Sequence, residues 1–219
     1  MKVSCVMPTF NRREFIPAAI DCYRAQSWLD KELIILDDGD DPVKDLVPAE
    51  PDIKYLTCKK ANLGEKLNIC CEEAKGEAIC HFDDDDWSTP GRIEKQVSRL
   101  QAGHALTGFS NILYLDIRTG KYYRWRRPRT IYGCSLCYEK SVWEIIRFQP
   151  FRRGTDMPFI EGVNVLKGGH DTVDESGYIV GRIHNFNLTH WLGLNFLTIC
   201  DGSDIPQGFM DNERLRNAV

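Results

Sequence analysis

Apolar and polar positions change register repeatedly along the first hundred residues. Four short apolar runs, Val3–Met7, Glu32–Leu36, Ile53–Thr57 and Ala78–Phe82, are too short for helices and suit buried strands. Between them the spacing turns helical. Phe15, Ala19, Cys22 and Tyr23 share one face, and Pro17 marks the helix start. Leu63, Leu67 and Cys70 give an apolar face to a helix over Asn62–Ala74, closed by Lys75-Gly76. A further helix is predicted from about Pro90 to Leu100, with Thr89 as its N-cap. Strands alternating with helices predict an α/β fold, a doubly wound and mostly parallel central sheet with helices on both faces.

After Ala102 the texture changes. Phe109–Asp116 and Tyr122-Tyr123 read as a hairpin turning at Thr119-Gly120. Gly133–Tyr138 is a further strand and Ser141–Arg147 a helix. From Phe148 onward glycine, proline and polar residues dominate, and no regular element is assigned. No repeat or low-complexity linker interrupts the chain, so one domain over 1–219 is expected.

Composition narrows the functional classes. Net charge is −4 over 219 residues, which does not suit coating of nucleic acid. No apolar run approaches the roughly 20 residues of a membrane span, so no transmembrane segment is expected. The start, MKVSCVMPTFN, meets Thr9 and Asn11 too early for a signal peptide. Nine scattered cysteines, an odd count, fit reduced thiols and a cytoplasmic location. Cys134 and Cys137 lack a second pair at zinc-site spacing and read as core residues.

The chemistry gathers at strand ends. The second strand runs into Asp37-Asp38 and the fourth into Asp83, Asp84, Asp85 and Asp86. Open α/β sheets bind ligands at that edge. Four adjacent carboxylates repel one another, and a hard divalent cation bound by oxygens offsets the repulsion. The alternative is a solvated turn leading into the Thr89-Pro90 helix. Two acidic ends can divide labour, one accepting hydrogen bonds from a nucleoside and the other holding a diphosphate through a metal. Lys66, near a helix start, adds positive charge for a phosphate.

Three segments together, VSCVMPTFNR (3–12), ELIILDDGD (32–40) and NLGEKLNICCEEAKGEAICHFDDDDWSTPGRIEKQ (62–96), resemble the family 2 glycosyltransferases of the GT-A fold in order and spacing. The resemblance covers about the first hundred residues well and the rest loosely. It implies a nucleotide-binding half over 1–102 and an acceptor-binding, catalytic-base half over 103–219. By position, Pro8 and Phe10 would line a nucleobase pocket, and Asp38, with Asp37 beside it, would meet base or ribose. Lys66 and Asn68 would lie near the diphosphate. Leu67 stands where relatives often carry an arginine. The family's D-x-D overlaps the acid run, with Asp85 on a Mn²⁺ or Mg²⁺ ion, Asp84 near the ribose and Asp83 a further candidate. Asp86 keeps the role of leading into the next helix.

The family inverts at the anomeric carbon and needs a base for the acceptor hydroxyl. The segment 154–159 resembles the base-bearing stretch, with Thr155 in place of a glutamate and Asp156 as the base; Glu161, Asp171 and Asp174 stand in reserve. The stretch 183–187 resembles a late histidine and asparagine segment, giving His184 a place over the metal or diphosphate. Lys121–Arg129 interleaves aromatics with five basic residues, as an acceptor-side surface or a plain solvated strand. The implied partners are a nucleotide-sugar donor and a carbohydrate, lipid-linked or other hydroxyl acceptor. Rival readings are a nucleotidyltransferase, and a non-catalytic nucleotide- or carbohydrate-binding module on the same fold. An aspartyl phosphotransferase is disfavoured by Trp87, which stands where such sites want Thr or Val.

Overall fold

A computed structural model describes residues 1–185, 187 and 197–216. The predicted order of elements over the first hundred residues is met closely: β1 (Val3–Thr9), α1 (Ile16–Arg24), β2 (Lys31–Asp37), β3 (Ile53–Thr57), α2 (Leu63–Glu73) and β4 (Ala78–His81) follow in that order. Strand alternation explains the layering. Val3, Cys5 and Met7 face one side with Leu33 and Ile35, and α1 and α3 (Arg92–Gln101) cover them with Ile16, Ile20, Tyr23, Ile93 and Val97. Val6, Ile34, Leu36 and Ile79 face the other side. There they meet α2, α4 (Lys140–Ile145) and α5 (Asp156–Lys167). Burial on both faces is what a sheet covered by crossover helices requires.

Two sheets are formed. With β5 (Trp87–Ser88), β6 (Leu106–Phe109), β7 (Asn111–Asp116), β8 (Lys121–Arg126), β9 (Cys137–Glu139), β10 (Asp171–Val173), β11 (Ile179–Ile183) and β12 (Leu197–Ile199), the orders are β10-β6-β9-β4-β1-β2-β3 and β12-β8-β7-β11-β5. In the first sheet only β9 runs antiparallel to its neighbours among the described residues. The register aligns Thr9 with Asp37 and Val6 with His81, so the acidic ends of β2 and β4 share one edge.

Several expectations are corrected. The acid run leads into β5, which pairs antiparallel with β11, not directly into a helix. It is therefore the crossing from the first sheet to the second. The next helix starts at Arg92 after Gly91, two residues beyond Pro90, without a side-chain cap. Gly133–Ser135 is a 3-10 turn, and the strand begins only at Cys137. The region beyond Phe148 contains α5, β10, β11, β12 and α6 (Gln207–Arg216). The Lys121–Arg129 stripe is largely β8. Its Tyr123 and Trp125 pack inward, Arg124 pairs with Asp204 at 3.0 Å, and Arg126 pairs with Asp174. No helix among the described residues is long and apolar enough to cross a membrane.

Candidate active site

The β1–α1 loop begins the site. Pro8 and Phe10 are half-buried, and Lys60 Nζ lies 4.7 Å from the Phe10 ring centroid. Asn11 takes a left-handed φ of 51°, and its Oδ1 accepts the Asp40 and Asp41 N–H groups at 2.8 and 3.2 Å. A short polar side chain tolerates that backbone and ties the two loops together.

The end of β2 departs from expectation at Asp37. Its Oδ1 accepts Gly39 N–H at 2.8 Å, and its Oδ2 accepts Val43 N–H and the Tyr55 hydroxyl at 3.0 and 2.9 Å. That carboxylate is spent on shaping its own loop. Asp38 accepts Ala61 N–H at 3.0 Å and Lys66 Nζ at 2.6 Å. Lys66 also donates to the Thr9 carbonyl at 3.1 Å. Lys66 thus pairs with Asp38 and the end of β1. An Asn62–Glu65 capping box starts its helix. Asn68 is turned away from the edge as well. Its Oδ1 accepts Trp143 Nε1 and Phe148 N–H at 2.9 and 3.0 Å, and its Nδ2 donates to the Phe148 carbonyl at 2.9 Å.

At the end of β4 the carboxylates crowd. Oxygens of Asp83, Asp85 and Asp86 lie within 4.8 Å of one another. Asp84 is buried, and its Oδ2 has no hydrogen-bond partner among the described residues. Burial, then Asp85 and Asp84, push Asp83 up to about 7. Burial, then Asp85 and Asp83, also drive Asp86 far up. Burial raises Asp84 too, against the opposing pull of Arg12. Asp85 alone is lowered: burial would raise it, and Arg12 followed by His184 more than offset that. An all-oxygen donor set with an unmet negative charge fits a hard divalent cation.

Asp85 is the best-held member. Arg12 lies 2.8 Å from its Oδ2, His184 Nε2 2.9 Å and Asn187 Nδ2 3.2 Å. Arg182 donates to its carbonyl at 2.8 Å and pairs with Glu213 of α6 at 2.5 Å. His184 thus meets Asp85, while Phe186 of the same stretch lies outside the described residues.

Asp156 is the first residue of α5. Burial raises its pKa, opposed by N–H groups including that of Gly133. A Cβ on Gly133 would lie 3.0 Å from Asp156 Oδ2, so a side chain there would press on the Asp156 carboxylate. Thr155, buried, donates to the Gln149 carbonyl at 2.8 Å and braces the segment. Gly133 accepts His81 Nδ1–H at 2.9 Å, and Arg92 joins the His81 and Cys134 carbonyls at 2.5 and 2.8 Å. Burial and the charges of Asp86, Asp83 and Asp156 all raise the Cys134 thiol, so one side chain lies in the field of the acid run and of Asp156 together. The reserves lie elsewhere: Asp171 is held by Arg99 and Thr107 at 2.6 and 2.9 Å, Asp174 by Arg126 and Ser110, and Glu161 is exposed on α5.

Arg12, Gly133, Arg182 and Asn187 were not singled out from the sequence, and Asp86 was given only the role of leading into a helix. Arg12 had a visible signal, a cation directly after the β1 end on the acidic edge. The others depend on long-range pairing.

Known proteins resemble this chain in sequence and in fold. The glycosyl transferase family 2 model matches residues 4–159. An uncharacterized glycosyltransferase, YwdF of Bacillus subtilis, is 29% identical over 142 residues, covering 64% of this chain and 52% of that protein. A GalNAc(5)-diNAcBac-PP-undecaprenol beta-1,3-glucosyltransferase of Campylobacter jejuni is 32% identical over 112 residues, covering 48% and 36%. The chain spans about half or less of the length of these curated relatives. Among solved structures, S. aureus TarS 1–349 in complex with UDP-GlcNAc superposes with a TM-score of 0.70 at 13% identity, covering 99% of this chain and 65% of that one. A Pyrobaculum calidifontis mannosyltransferase, PcManGT, with GDP-Man and Mn²⁺, superposes at 0.60 with 15% identity, covering 83% and 56%. The shared architecture is the GT-A fold, and with the family model matching well over half of its length, the chain belongs to glycosyl transferase family 2.

Proposed function

We propose that this chain is an inverting glycosyltransferase that moves a sugar from a nucleotide-diphosphate donor to an acceptor hydroxyl with a divalent cation, Mn²⁺ or Mg²⁺. The observation that carries the reading is that Asp38 and the acid run share one sheet edge in a family 2 chain, with the half-buried Asp156 near enough to act on the same Cys134 thiol as Asp83 and Asp86. The donor's base lies against Pro8 and Phe10, its ribose toward Asp38 and Asp84, and its diphosphate over Asp83, Asp85 and Asp86. Asp37 and Asn68 contribute by bracing the loops that hold these groups. A cation held by the carboxylates supplies positive charge to the departing diphosphate. Asp156 takes the proton of the acceptor hydroxyl as its oxygen attacks the anomeric carbon, and the bonding pair leaves with the diphosphate. Burial raises Asp156 toward the basicity such a role needs. The acceptor is a carbohydrate or a lipid-linked sugar, the second supported by the undecaprenol-linked substrate in the Campylobacter relative's name.

The test is a thermal-shift screen of nucleotide-sugars with Mn²⁺, followed by product analysis with the wild type and Asp156→Asn. Ligand binding to the native state raises the unfolding temperature. Asp156→Asn should retain donor binding and lose transfer by about 10²- to 10⁴-fold. Undiminished transfer in the variant removes Asp156 as base. Absence of any shift with every nucleoside diphosphate compound removes the whole reading. Release of pyrophosphate from a nucleoside triphosphate points instead to a nucleotidyltransferase.

A further inference from the structure

Among the described residues, Asp85 Oδ2 accepts hydrogen bonds from His184 at 2.9 Å and Asn187 at 3.2 Å, and it forms an ion pair with Arg12 at 2.8 Å. A carboxylate oxygen offers only two lone pairs, and those two hydrogen bonds fill them. A divalent cation that uses this oxygen must therefore displace one of these three neighbours. Arg12 is the member that carries an obligatory positive charge, so an incoming cation repels it first. The same nitrogen, NH1, also lies 2.7 Å from Asp84 Oδ1. Arg12 consequently keeps one carboxylate partner when it loses the other. Asp84 is 2% exposed, and its second oxygen has no partner among the described residues, so it anchors a cation strongly.

The backbone that carries Arg12 is held in place. Asn11 is pinned through its side chain to Asp40 and Asp41, and the Arg12 carbonyl accepts Phe15 N–H at 3.0 Å. Two further deeply placed cations of residues 1–102 are committed, Lys66 to Asp38 and the Thr9 carbonyl and Arg92 to the His81 and Cys134 carbonyls. A guanidinium presents five N–H donors in a planar fork, which suits a phosphate as well as a carboxylate.

We propose that Arg12 is a further donor-binding residue. It neutralises Asp84 and Asp85 before the donor arrives, cedes Asp85 to the divalent cation and, held on Asp84, presents its guanidinium to the donor's diphosphate. This rests on the nucleotide-diphosphate reading above and adds to it a named phosphate-binding side chain.

Calorimetric titrations of the wild type, Arg12→Ala and Arg12→Lys decide it. The probes are Mn²⁺ alone, and, with saturating Mn²⁺, UDP against UMP and GDP against GMP. Arg12→Ala should bind Mn²⁺ alone at least as tightly as the wild type, because a competitor is gone. Its affinity for the diphosphate that the wild type binds should fall about tenfold or more, with the monophosphate changed by less than about threefold. Arg12→Lys should lie between, since an ammonium keeps the charge and loses the fork. Equal losses for mono- and diphosphate, or no loss for either, overturn the phosphate role. Weaker Mn²⁺ binding in Arg12→Ala overturns the competition and makes Arg12 a builder of the site. Should Arg12→Ala unfold, as circular dichroism reveals, Arg12→Lys decides by the same mono- against diphosphate ratio. If the wild type binds no nucleotide, the donor reading fails together with the phosphate role, while the Mn²⁺ titrations still decide the competition.

Discussion

His184 Nε2 lies 2.9 Å from Asp85 Oδ2, although 99 positions separate them in the chain. The imidazole also stacks on Phe15, with centroids 4.7 Å apart. The start of α1, the end of β4 and the end of β11 are thereby joined at one carboxylate. Holding a ligand's carboxylate in orientation sharpens metal binding. His184→Ala should weaken Mn²⁺ affinity by about 10- to 100-fold, read by calorimetry. Unchanged affinity would reduce His184 to a packing role.

Asp156 predicts the acid limb of the pH–rate profile. Burial raises its pKa, and a general base acts only when ionised. Transfer should therefore rise with pH through a value above the usual carboxylate range near about 4. An acid limb at or below the range of a free aspartate assigns it to another group.

Gly133 carries a steric prediction. A methyl group there meets Asp156 Oδ2 at 3.0 Å and its Cγ at 3.2 Å. Gly133→Ala should shift the base, so the turnover rate falls about tenfold or more while nucleotide affinity stays level. Matching losses in rate and nucleotide affinity would mean that the turn supports the donor site instead.

His81 predicts a pH dependence of stability. Burial pushes it down to about 4 from 6.5, and it is held neutral between the Gly133 carbonyl and the Tyr138 hydroxyl. A depressed pKa means that the unfolded chain binds the extra proton first. The stabilisation is complete above 6.5 and is lost as pH falls toward 4. The loss amounts to about 3 kcal/mol at 1.36 kcal/mol per unit. The raised Asp83 and Asp86 act in the opposite sense over the same window, so the effect is read as the difference between wild type and His81→Asn in urea unfolding from pH 7.5 to 4.5, with the wild type losing more stability than the variant as pH falls. An equally steep profile in the variant assigns the effect to other groups.

The nucleotide half was legible because its elements are long or wholly buried. Val3–Met7 and Glu32–Leu36 have nowhere to go but a sheet covered on both faces, and Phe15, Ala19, Cys22 and Tyr23 mark one helical face. The C-terminal half gave weaker signals. In α5, Phe159, Ile160 and Val163 are buried, while Val165 is 89% exposed and Gly162 adds no side chain, so its apolar stripe is blurred. β5 has only two residues and is defined by its pairing with β11, far along the chain. That pairing is why Asp86 joins the acid cluster instead of leading into a helix.

Strand periodicity and strand-end position are local properties. They were enough to bring Asp38, Asp83, Asp84 and Asp85 to one edge and to suggest what such an edge binds. The partner of each polar atom is a non-local property. Tyr55 and Val43 occupy Asp37, Trp143 and Phe148 occupy Asn68, and Asp38 takes Lys66. Arg12 bridges Asp84 and Asp85, and Gly133 receives Asp156. Which carboxylates remain open to a ligand follows from contacts that the chain makes only after its two sheets have met. A buried polar group must find a partner there, and spacing along the sequence does not say which one.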